Sequence, residues 1–227
     1  VTVECHPSTI NSKKLKDYQK AGINRVSLGI QSFQDRNLKS IERNHTAQQN
    51  ERLLKDALKI GFNCVAMDLM YRLPNQNFEN LKFDLDKIKE FSPGGISVYS
   101  LEPEATPLER KLSEIPSEEV DKKMFYFIGD SLENVGYHRF MQPDFSKPNK
   151  ECKYVLNAWK APQQLMIGLG AGANTHYFGG HVWANVYPVK SYIDAIEKGY
   201  FPGVMGVNVS LEELKAKYMV LGIRHLS

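Results

Sequence analysis

The feature that most constrains the fold of this chain is the alternation of short apolar runs with amphipathic helical patterns over residues 1–101. Four apolar runs of strand length recur roughly every 30 to 35 residues. They occupy residues 1–5, 25–29, 63–70 and 96–101. A strand, a helix and a further strand in this order form a parallel unit, because the helix crosses back over the sheet. The alternation therefore predicts a parallel sheet covered by helices.

Each of these predicted strands carries a polar side chain at or near its carboxyl end. The first two strands bring Glu4 and Gln31, and the next two bring Asp68 and Glu102. The carboxyl ends of parallel strands meet at one rim, and this rim is where α/β-barrels form their active sites. The sequence thus predicts a polar site organised around the strand that delivers Gln31.

Arg43 follows the short helix after Gln31 and adds a guanidinium to the same predicted rim. A guanidinium can bind a carboxylate with two parallel hydrogen bonds, whereas the carboxylates of Glu4 and Asp68 can accept from hydroxyl or ammonium groups. This set suits a ligand that combines a carboxylate, an ammonium and a ribose. The spacing alone leaves another interpretation open, in which these are solvated loop residues or a structural ion pair.

The number of strands bears on the completeness of the fold. Four parallel strands do not close a barrel, since about eight are usual and a six-stranded open barrel would still lack two. The chain also begins directly in a strand, at Val1 rather than Met. We therefore expect a partial barrel at residues 1–114, with its first two βα units upstream, and an α+β C-terminal domain at residues 115–227. The last predicted helix runs to Ser227 without a stop signal, so we expect that domain to be truncated.

Composition argues against several other classes of protein. The net charge is +3 and no Lys/Arg cluster occurs, which argues against binding to nucleic acid. No apolar run approaches the roughly 20 residues of a membrane-spanning helix. The three cysteines, Cys5, Cys64 and Cys152, are far apart in the sequence, as is typical of a reducing compartment. We expect a cytoplasmic protein.

Two further patterns carry weaker signals. The run Gly168–Ala173 has the spacing G-x-G-x-G rather than the dinucleotide pattern G-x-G-x-x-G, which favours a tight turn or close backbone packing over a phosphate site. Cys152 with His176 or His181 suggests a metal or nucleophile site, but no second cysteine lies at metal-ligand spacing. We therefore expect no metal ligands within this chain.

Specific strings of residues add to this general pattern. In the first half they are V-E-C-H-P at Val3–Pro7, N-R-V-S-L-G-I-Q-S-F at Asn24–Phe33, M-D-L-M-Y-R-L-P at Met67–Pro74 and I-S-V-Y-S-L at Ile96–Leu101. In the second half they are D-F-S-K-P leading to E-C at Asp144–Cys152, N-A-W at Asn157–Trp159 and G-L-G-A-G-A at Gly168–Ala173. The first set resembles the radical S-adenosylmethionine enzymes of the oxygen-independent coproporphyrinogen III oxidase family. The second set resembles the haem-chaperone-like branch of that family.

The resemblance implies a partial (β/α)6 barrel that holds a 4Fe–4S cluster and S-adenosylmethionine. The positions that match the family's S-adenosylmethionine contacts are Glu4, Gln31, Arg43 and Asp68. Arg43 would pair with the methionine carboxylate, Gln31 and Asp68 would lie near the ribose, and the remaining carboxylate would lie nearby. The family's C-x-x-x-C-x-x-C cluster loop does not occur in this sequence, so we expect the cluster ligands upstream and this chain to be inactive alone.

For the complete protein, the resemblance implies an oxidoreductase of porphyrin biosynthesis. The reduced cluster would give one electron to the sulfonium, and the resulting 5′-deoxyadenosyl radical would take a hydrogen atom from a porphyrin-like substrate. The implied partners are a tetrapyrrole or other planar aromatic molecule and an electron donor such as flavodoxin or ferredoxin. Two alternatives stay open, namely a methyltransferase of the same family acting on an aromatic carbon and a non-catalytic haem chaperone.

One residue departs from the family pattern. Family members usually have Gly before the Leu-Pro pair that follows the strand of Asp68, and this chain has Arg72. A cation at this position suggests an anionic group nearby, such as a propionate of the substrate. The alternative is that the Arg72 side chain points into solvent.

Overall fold

A computed structural model of the chain describes residues 1–159, 165–177 and 180–223. It divides into two compact units, Val1–Glu151 and Cys152–Ser227. The predicted domain boundary between residues 114 and 115 falls inside the first unit, because a helix and a hairpin that follow it join the same core and sheet.

The first unit is built on a six-stranded sheet. Its strands are β1 (Thr2–Cys5), β2 (Arg25–Gln31), β3 (Cys64–Tyr71), β4 (Gly95–Ser100), β5 (His138–Met141) and β6 (Asp144–Ser146). Their order across the sheet is β1-β2-β3-β4-β6-β5. The four strands β1 to β4 are parallel neighbours, as the alternating pattern predicts, whereas β6 pairs antiparallel with both β4 and β5.

The helices of this unit connect the parallel strands and continue beyond them. They are α1 (Ser12–Lys20), α2 (Asp35–Ser40), α3 (Ala47–Ile60), α4 (Phe78–Phe91) and α5 (Glu118–Glu133), with a 3₁₀ helix at Pro107–Glu114. Helix α3 begins with the predicted capping box, in which Thr46 accepts from the backbone of Gln49 and the Gln49 side chain accepts from the backbone of Thr46. It ends at Gly61, whose φ of 89° favours glycine.

One face of the sheet forms the hydrophobic core. Alternate residues of the parallel strands point to this face and are nearly inaccessible to solvent; they include Val26, Leu28, Val65, Met67, Leu69, Ile96 and Val98. Their partners in the same cluster come from the helices and include Leu53, Leu54, Leu81, Leu85, Ile88, Met124 and Ile128. Full burial of such a side chain contributes about 1.5–3 kcal/mol. The intervening residues of each strand point to the opposite face of the sheet, which is polar.

The second unit contains a separate antiparallel sheet of strands β7 (Asn174–Tyr177), β8 (His181–Asn185) and β9 (Gly203–Asn208) in the order β7-β8-β9. Its helices are α6 (Lys153–Ala158), α7 (Val189–Glu197) and α8 (Leu211–Ile223). The unit is therefore α+β, as expected. The predicted continuation of the last helix to Ser227 lies outside the described residues.

The glycine run of this unit forms a tight turn, as its spacing predicts. The Gly168 amide donates to Thr175 Oγ1 at 2.9 Å, and Asn185 Nδ2 donates to the carbonyl oxygens of Gly168 and Gly170 at 3.1 and 2.9 Å. A Cβ atom at position 168 would lie 2.5 Å from the Asn174 carbonyl oxygen, so the two backbones approach too closely for a side chain. These backbone groups of the turn are thus hydrogen-bonded to other residues of the same unit.

Among the described helices of both units, none combines the length and the apolar character needed to cross a lipid bilayer.

Candidate functional site

Three of the four predicted site residues line one open cavity at the carboxyl ends of β1, β2 and β3. The cavity has a volume of about 260 Å³ and is lined by Glu4, Cys5, His6, Ser27, Gly29, Gln31 and Asp68. Typical small-molecule pockets enclose about 300–1,000 Å³. The cavity therefore has room for one end of a nucleoside-sized ligand. Glu102, which follows β4, is exposed and does not line it.

Asp68 is the carboxylate that lies deepest in the cavity wall. Burial and, to a smaller extent, the neighbouring Glu4 carboxylate raise its pKa to about 6, while a hydrogen bond from Ser27 opposes the rise. The Ser27 Oγ to Asp68 Oδ1 distance is 3.4 Å. Asp68 is consequently ionised at pH 7 but close to its protonation midpoint. A cationic or hydroxyl-bearing ligand would stabilise its ionised form.

Gln31 is held in an unusual backbone conformation at the end of β2. Its φ is 65°, and the pairing of β2 with β3 shifts register between Leu28 and Gln31. Asn50 Nδ2 donates to the carbonyl oxygens of Ile30 and Ser32, at 2.8 and 2.9 Å. These bonds fix the backbone on both sides of Gln31. A β-bulge that Asn50 stabilises therefore places the Gln31 amide in the cavity.

A second buried group supports the loop after Gln31. Asp84 of α4 accepts hydrogen bonds from the Ser32 hydroxyl and from the Phe33 amide, both at 2.8 Å. The residue is fully buried, and burial raises its pKa to about 6 although these hydrogen bonds oppose the rise. Loss of the carboxylate would leave two buried donors without an acceptor. Asp84 therefore stabilises the loop that positions Gln31.

Neither Asn50 nor Asp84 is among the predicted site residues, although the sequence carries a signal for each. Each is a polar residue at a core position of an amphipathic helix. Asn50 shares the buried face of α3 with Leu53, and Asp84 shares that of α4 with Leu81. A polar residue in such a stripe is expected to have a buried hydrogen-bonding partner.

Arg43 lies beside the cavity but does not line it. Its Nη1 atom is 3.1 Å from Nε2 of His6, and His6 is part of the cavity wall. The ring of His6 in turn meets the ring of His45 edge to face, with centroids 5.3 Å apart. The guanidinium is thus connected to the site through a histidine that the sequence analysis did not select.

The polar face of the sheet continues beyond Asp68 onto β4 and β6. Ser97 pairs in register with Asp68, and its hydroxyl donates to Asp144 Oδ1 at 2.5 Å. Tyr99, two residues further along β4, has its pKa raised to about 12, mainly by burial and further by Asp68, Asp144 and Glu4. A phenol at this position stays protonated at pH 7 and can donate a hydrogen bond. Ser97, Tyr99 and Asp144 are not among the predicted site residues.

The Arg72 side chain forms a hydrogen bond and an ion pair with other residues of this chain. Its Nε atom donates to the Pro116 carbonyl oxygen at 2.9 Å, and its Nη1 atom lies 3.6 Å from Asp121 Oδ2. Arg72 therefore contacts the first turn of α5 and the residue before its cap, so the alternative of a side chain that points into solvent is wrong. The anionic group beside this cation within the chain is the carboxylate of Asp121. The φ of 59° at Arg72 is the conformation that the family's usual glycine adopts freely.

The polar groups around the cavity fit one of the two cofactors that the family resemblance implies. Carboxylate, amide and guanidinium groups, from Glu4, Asp68, Gln31 and Arg43, complement the hydroxyl, ammonium and carboxylate groups of S-adenosylmethionine. Across residues 1–159, 165–177 and 180–223, no group of three or more His, Cys, Asp or Glu side chains is placed to hold a metal ion. The described residues therefore do not form a 4Fe–4S site.

Comparison with known proteins agrees with the fold and the strings of residues. Residues 1–88 match the family model of the radical SAM superfamily. The heme chaperone HemW of Bacillus subtilis is 34% identical over 98% of this chain and 59% of its own length. The oxygen-independent coproporphyrinogen III oxidase of Cereibacter sphaeroides is 23% identical over 93% of this chain and 50% of its own length.

A solved structure extends the comparison to the fold. The coproporphyrinogen III oxidase HemN of Escherichia coli superimposes with a TM-score of 0.83 over 99% of this chain and 55% of that protein, at 21% identity. It confirms the predicted partial barrel followed by an α+β region. The chain spans 50% to 59% of the lengths of these three proteins. Residues 1–88 thus match the radical SAM superfamily, and nearly the whole chain is similar to coproporphyrinogen III oxidase-like and haem-chaperone-like proteins.

Proposed function

We propose that this chain supplies the S-adenosylmethionine-binding side of a radical S-adenosylmethionine enzyme that acts on a porphyrin-like substrate. The observation that carries the proposal is the convergence of Glu4, Gln31 and Asp68 on one cavity at the ends of three neighbouring parallel strands. Chain segments tens of residues apart deliver these groups, and no local turn requires them to meet. A ligand with several hydrogen-bonding groups accounts for that arrangement.

Each group has a role that follows from its chemistry. Asp68 and Gln31 would bind the ribose hydroxyls, since an ionised carboxylate accepts and an amide both accepts and donates. Arg43, held 3.1 Å from His6, would pair with the methionine carboxylate at the edge of the cavity. Glu4 is exposed at the rim and would attract the ammonium group. These residues would hold S-adenosylmethionine, which beside a reduced 4Fe–4S cluster would supply the radical chemistry that removes a hydrogen atom from the substrate.

Further proposals concern the complete protein. Its cluster cysteines would lie in residues beyond this chain, a flavodoxin- or ferredoxin-type donor would reduce the cluster, and the protein would work in the cytoplasm. The names of the oxidase relatives favour a tetrapyrrole as the substrate. The HemW relative, named a heme chaperone, favours a second candidate function in which the same fold binds haem and transfers it without turnover.

Calorimetric titration of this chain with S-adenosylmethionine tests the first proposal. We expect saturable binding that Asp68→Asn and Arg43→Gln each weaken by about tenfold or more, equivalent to about 1.4 kcal/mol. Asp86→Asn and Arg52→Gln are the matched controls, because both residues are exposed on helices outside the cavity. Equal affinity in all five proteins would contradict the assigned site.

Product analysis of the complete, cluster-loaded protein separates the functions. 5′-Deoxyadenosine with a decarboxylated porphyrin supports the oxidase, whereas 5′-deoxyadenosine together with S-adenosylhomocysteine supports the methyltransferase. A Soret band on haem titration without either product supports the chaperone. The presence of both nucleoside products identifies the methyltransferase, because only this function converts S-adenosylmethionine to 5′-deoxyadenosine and also to S-adenosylhomocysteine.

A further inference from the structure

The contact between His6 and Arg43 fixes the protonation state of the histidine. A guanidinium has only donors, so Nε2 of His6, 3.1 Å from Arg43 Nη1, must act as the acceptor. The ring proton then resides on Nδ1, which is 2.7 Å from the Ser8 hydroxyl oxygen and can donate to it. The Ser8 backbone N–H also points at Nδ1 from 3.3 Å, and this longer contact competes with the 2.7 Å contact to the hydroxyl. From the two shorter contacts we assign His6 the neutral tautomer that carries its proton on Nδ1.

The ring of His45 packs against the ring of His6. His45 is 3% exposed, and it meets His6 edge to face at an interplanar angle of 82°. Its Nε2 atom lies 3.4 Å from the carbonyl oxygen of Ile30, the residue that precedes Gln31. Side chains thus form a continuous series from the backbone beside Gln31 to the guanidinium of Arg43. This series places the ring of His6 where Arg43 meets the cavity.

We propose that His6 is a positioning residue that holds the Arg43 guanidinium at the cavity, and that protonation of its ring releases Arg43 and weakens ligand binding. The inference rests on the proposed S-adenosylmethionine site, because Arg43 acts there on the methionine carboxylate. Adding a proton to Nε2 removes the acceptor and brings two cations together. The ring and the guanidinium then separate, and the carboxylate loses its oriented partner.

The charged and titratable groups around His6 agree with this role. Those nearest are Glu4 on the same strand, Arg43 and His45 in the segment after α2, and Asp68 across the cavity on β3. Burial and the nearby Arg43 lower the pKa of His6, so the neutral ring persists at pH 7. Strand β2 contributes Ser27 and Gln31, which carry no charge.

Two substitutions of His6 distinguish a role in positioning Arg43 from a role in packing alone. His6→Gln retains an acceptor near the Nε2 position but does not titrate, whereas His6→Leu removes the acceptor. At pH 7.5 we expect His6→Leu to bind S-adenosylmethionine about tenfold more weakly and His6→Gln to stay within about threefold of wild type. Between pH 7.5 and 5.5, the wild type should lose affinity relative to His6→Gln, approaching tenfold per pH unit below the His6 pKa. Asp68 titrates in both proteins, so its effect cancels from their ratio.

Nitrogen NMR of the free chain tests the tautomer without any ligand. A protonated Nδ1 whose chemical shift changes in Arg43→Gln supports the inference, and a protonated Nε2 overturns it. A constant affinity ratio across the pH range, or unchanged binding by His6→Leu, also overturns it. If the wild type does not bind at pH 7.5, the proposed function fails, and the NMR result still decides whether His6 holds Arg43.

Discussion

Asn50 bonds to the backbone on both sides of Gln31 through a single amide nitrogen. Its Nδ2 atom lies 2.8 Å from the Ile30 carbonyl oxygen and 2.9 Å from the Ser32 carbonyl oxygen. The residue is fully buried on α3, and the backbone it holds has a φ of 65° at Gln31. A core helix therefore sets the orientation of a side chain in the cavity.

Replacement of Asn50 tests this support. We expect Asn50→Ala to lower the free energy of unfolding by about 1–3 kcal/mol, because the buried Ser32 carbonyl loses its Asn50 donor and the Ile30 carbonyl keeps only the Ser32 amide and His45. Affinity for S-adenosylmethionine should fall as well, because Gln31 is no longer held in place. Urea unfolding and calorimetric titration measure the two effects. Arg52→Ala, at an exposed position of the same helix, should change stability by less than about 0.5 kcal/mol.

Asp84 gives a prediction about the pH dependence of stability. Its pKa is raised from 3.8 to about 6 in the folded protein, chiefly by burial. The folded state therefore binds this proton more tightly than the unfolded chain does, so stability falls as the pH rises through that interval. The Asp84 contribution to the fall is about 2–3 kcal/mol, at 1.36 kcal/mol per pKa unit.

Asp84→Asn separates this contribution from that of other groups. Urea midpoints of the variant and the wild type are compared at several values of pH between 4 and 8. We expect the difference in unfolding free energy to change with pH across this range, and a constant difference would contradict the raised pKa. Asp86→Asn, an exposed carboxylate of the same helix, should follow the wild type throughout.

Gly29 tests how closely the backbone of β2 approaches the Gln31 amide. A Cβ atom at position 29 would lie 3.3 Å from Gln31 Nε2 and 3.8 Å from the Cys5 carbonyl oxygen. We expect Gly29→Ala to displace the amide and to weaken S-adenosylmethionine binding about three- to tenfold, with little change in stability. Gly222→Ala is the control, because no heavy atom lies within 4 Å of its added Cβ. Unaltered affinity in Gly29→Ala would show that Gln31 does not contact the ligand.

Arg72 allows backbone strain and side-chain bonds to be measured separately. Arg72→Ala and Arg72→Gly both lose the bonds to Pro116 and Asp121, but only the glycine variant relieves the positive φ of 59°. We expect the glycine variant to be about 1 kcal/mol more stable than the alanine variant in urea unfolding. Equal stabilities would mean that this conformation carries no strain.

The periodicity of the sequence predicted the part of the fold that depends on local patterns. Strands β1 to β4 and their parallel order follow from apolar runs separated by amphipathic helices. The three residues of β6 have no periodicity of their own, and this strand forms because β4 offers an unpaired edge. A strand that forms through tertiary pairing alone shows no recognisable pattern in so short a sequence.

The candidate site was predictable to a similar extent. Position at a strand end selected Glu4, Gln31 and Asp68, because parallel strands bring their carboxyl ends together, but it also selected Glu102, which does not line the cavity. The contact of Arg43 with His6 was not predictable, since it depends on the path of the segment after α2. A contact between residues 37 positions apart leaves no periodic signal in the sequence.

Asp68 should release a proton when the ligand binds. In the free chain its pKa is raised to about 6 by burial and by Glu4, so a sizeable fraction is protonated near that pH. Hydroxyl donors and a nearby sulfonium favour the ionised form, so binding lowers the pKa and expels the proton. Affinity should accordingly fall as the pH decreases through about 6, and proton release should vanish well above it.

Calorimetry in buffers of different ionisation enthalpy measures this release directly. We expect a fraction of a proton to be released at pH 6 by the wild type, and less by Asp68→Asn, in which any remaining release comes from His6. Glu4→Gln should move the Asp68 midpoint to lower pH, as followed by carbon NMR of the free chain, because the like charge that raises it is gone. If the midpoint stays in place, or Asp68→Asn releases as much as the wild type, Asp68 is not coupled to Glu4 and the ligand as the cavity geometry requires.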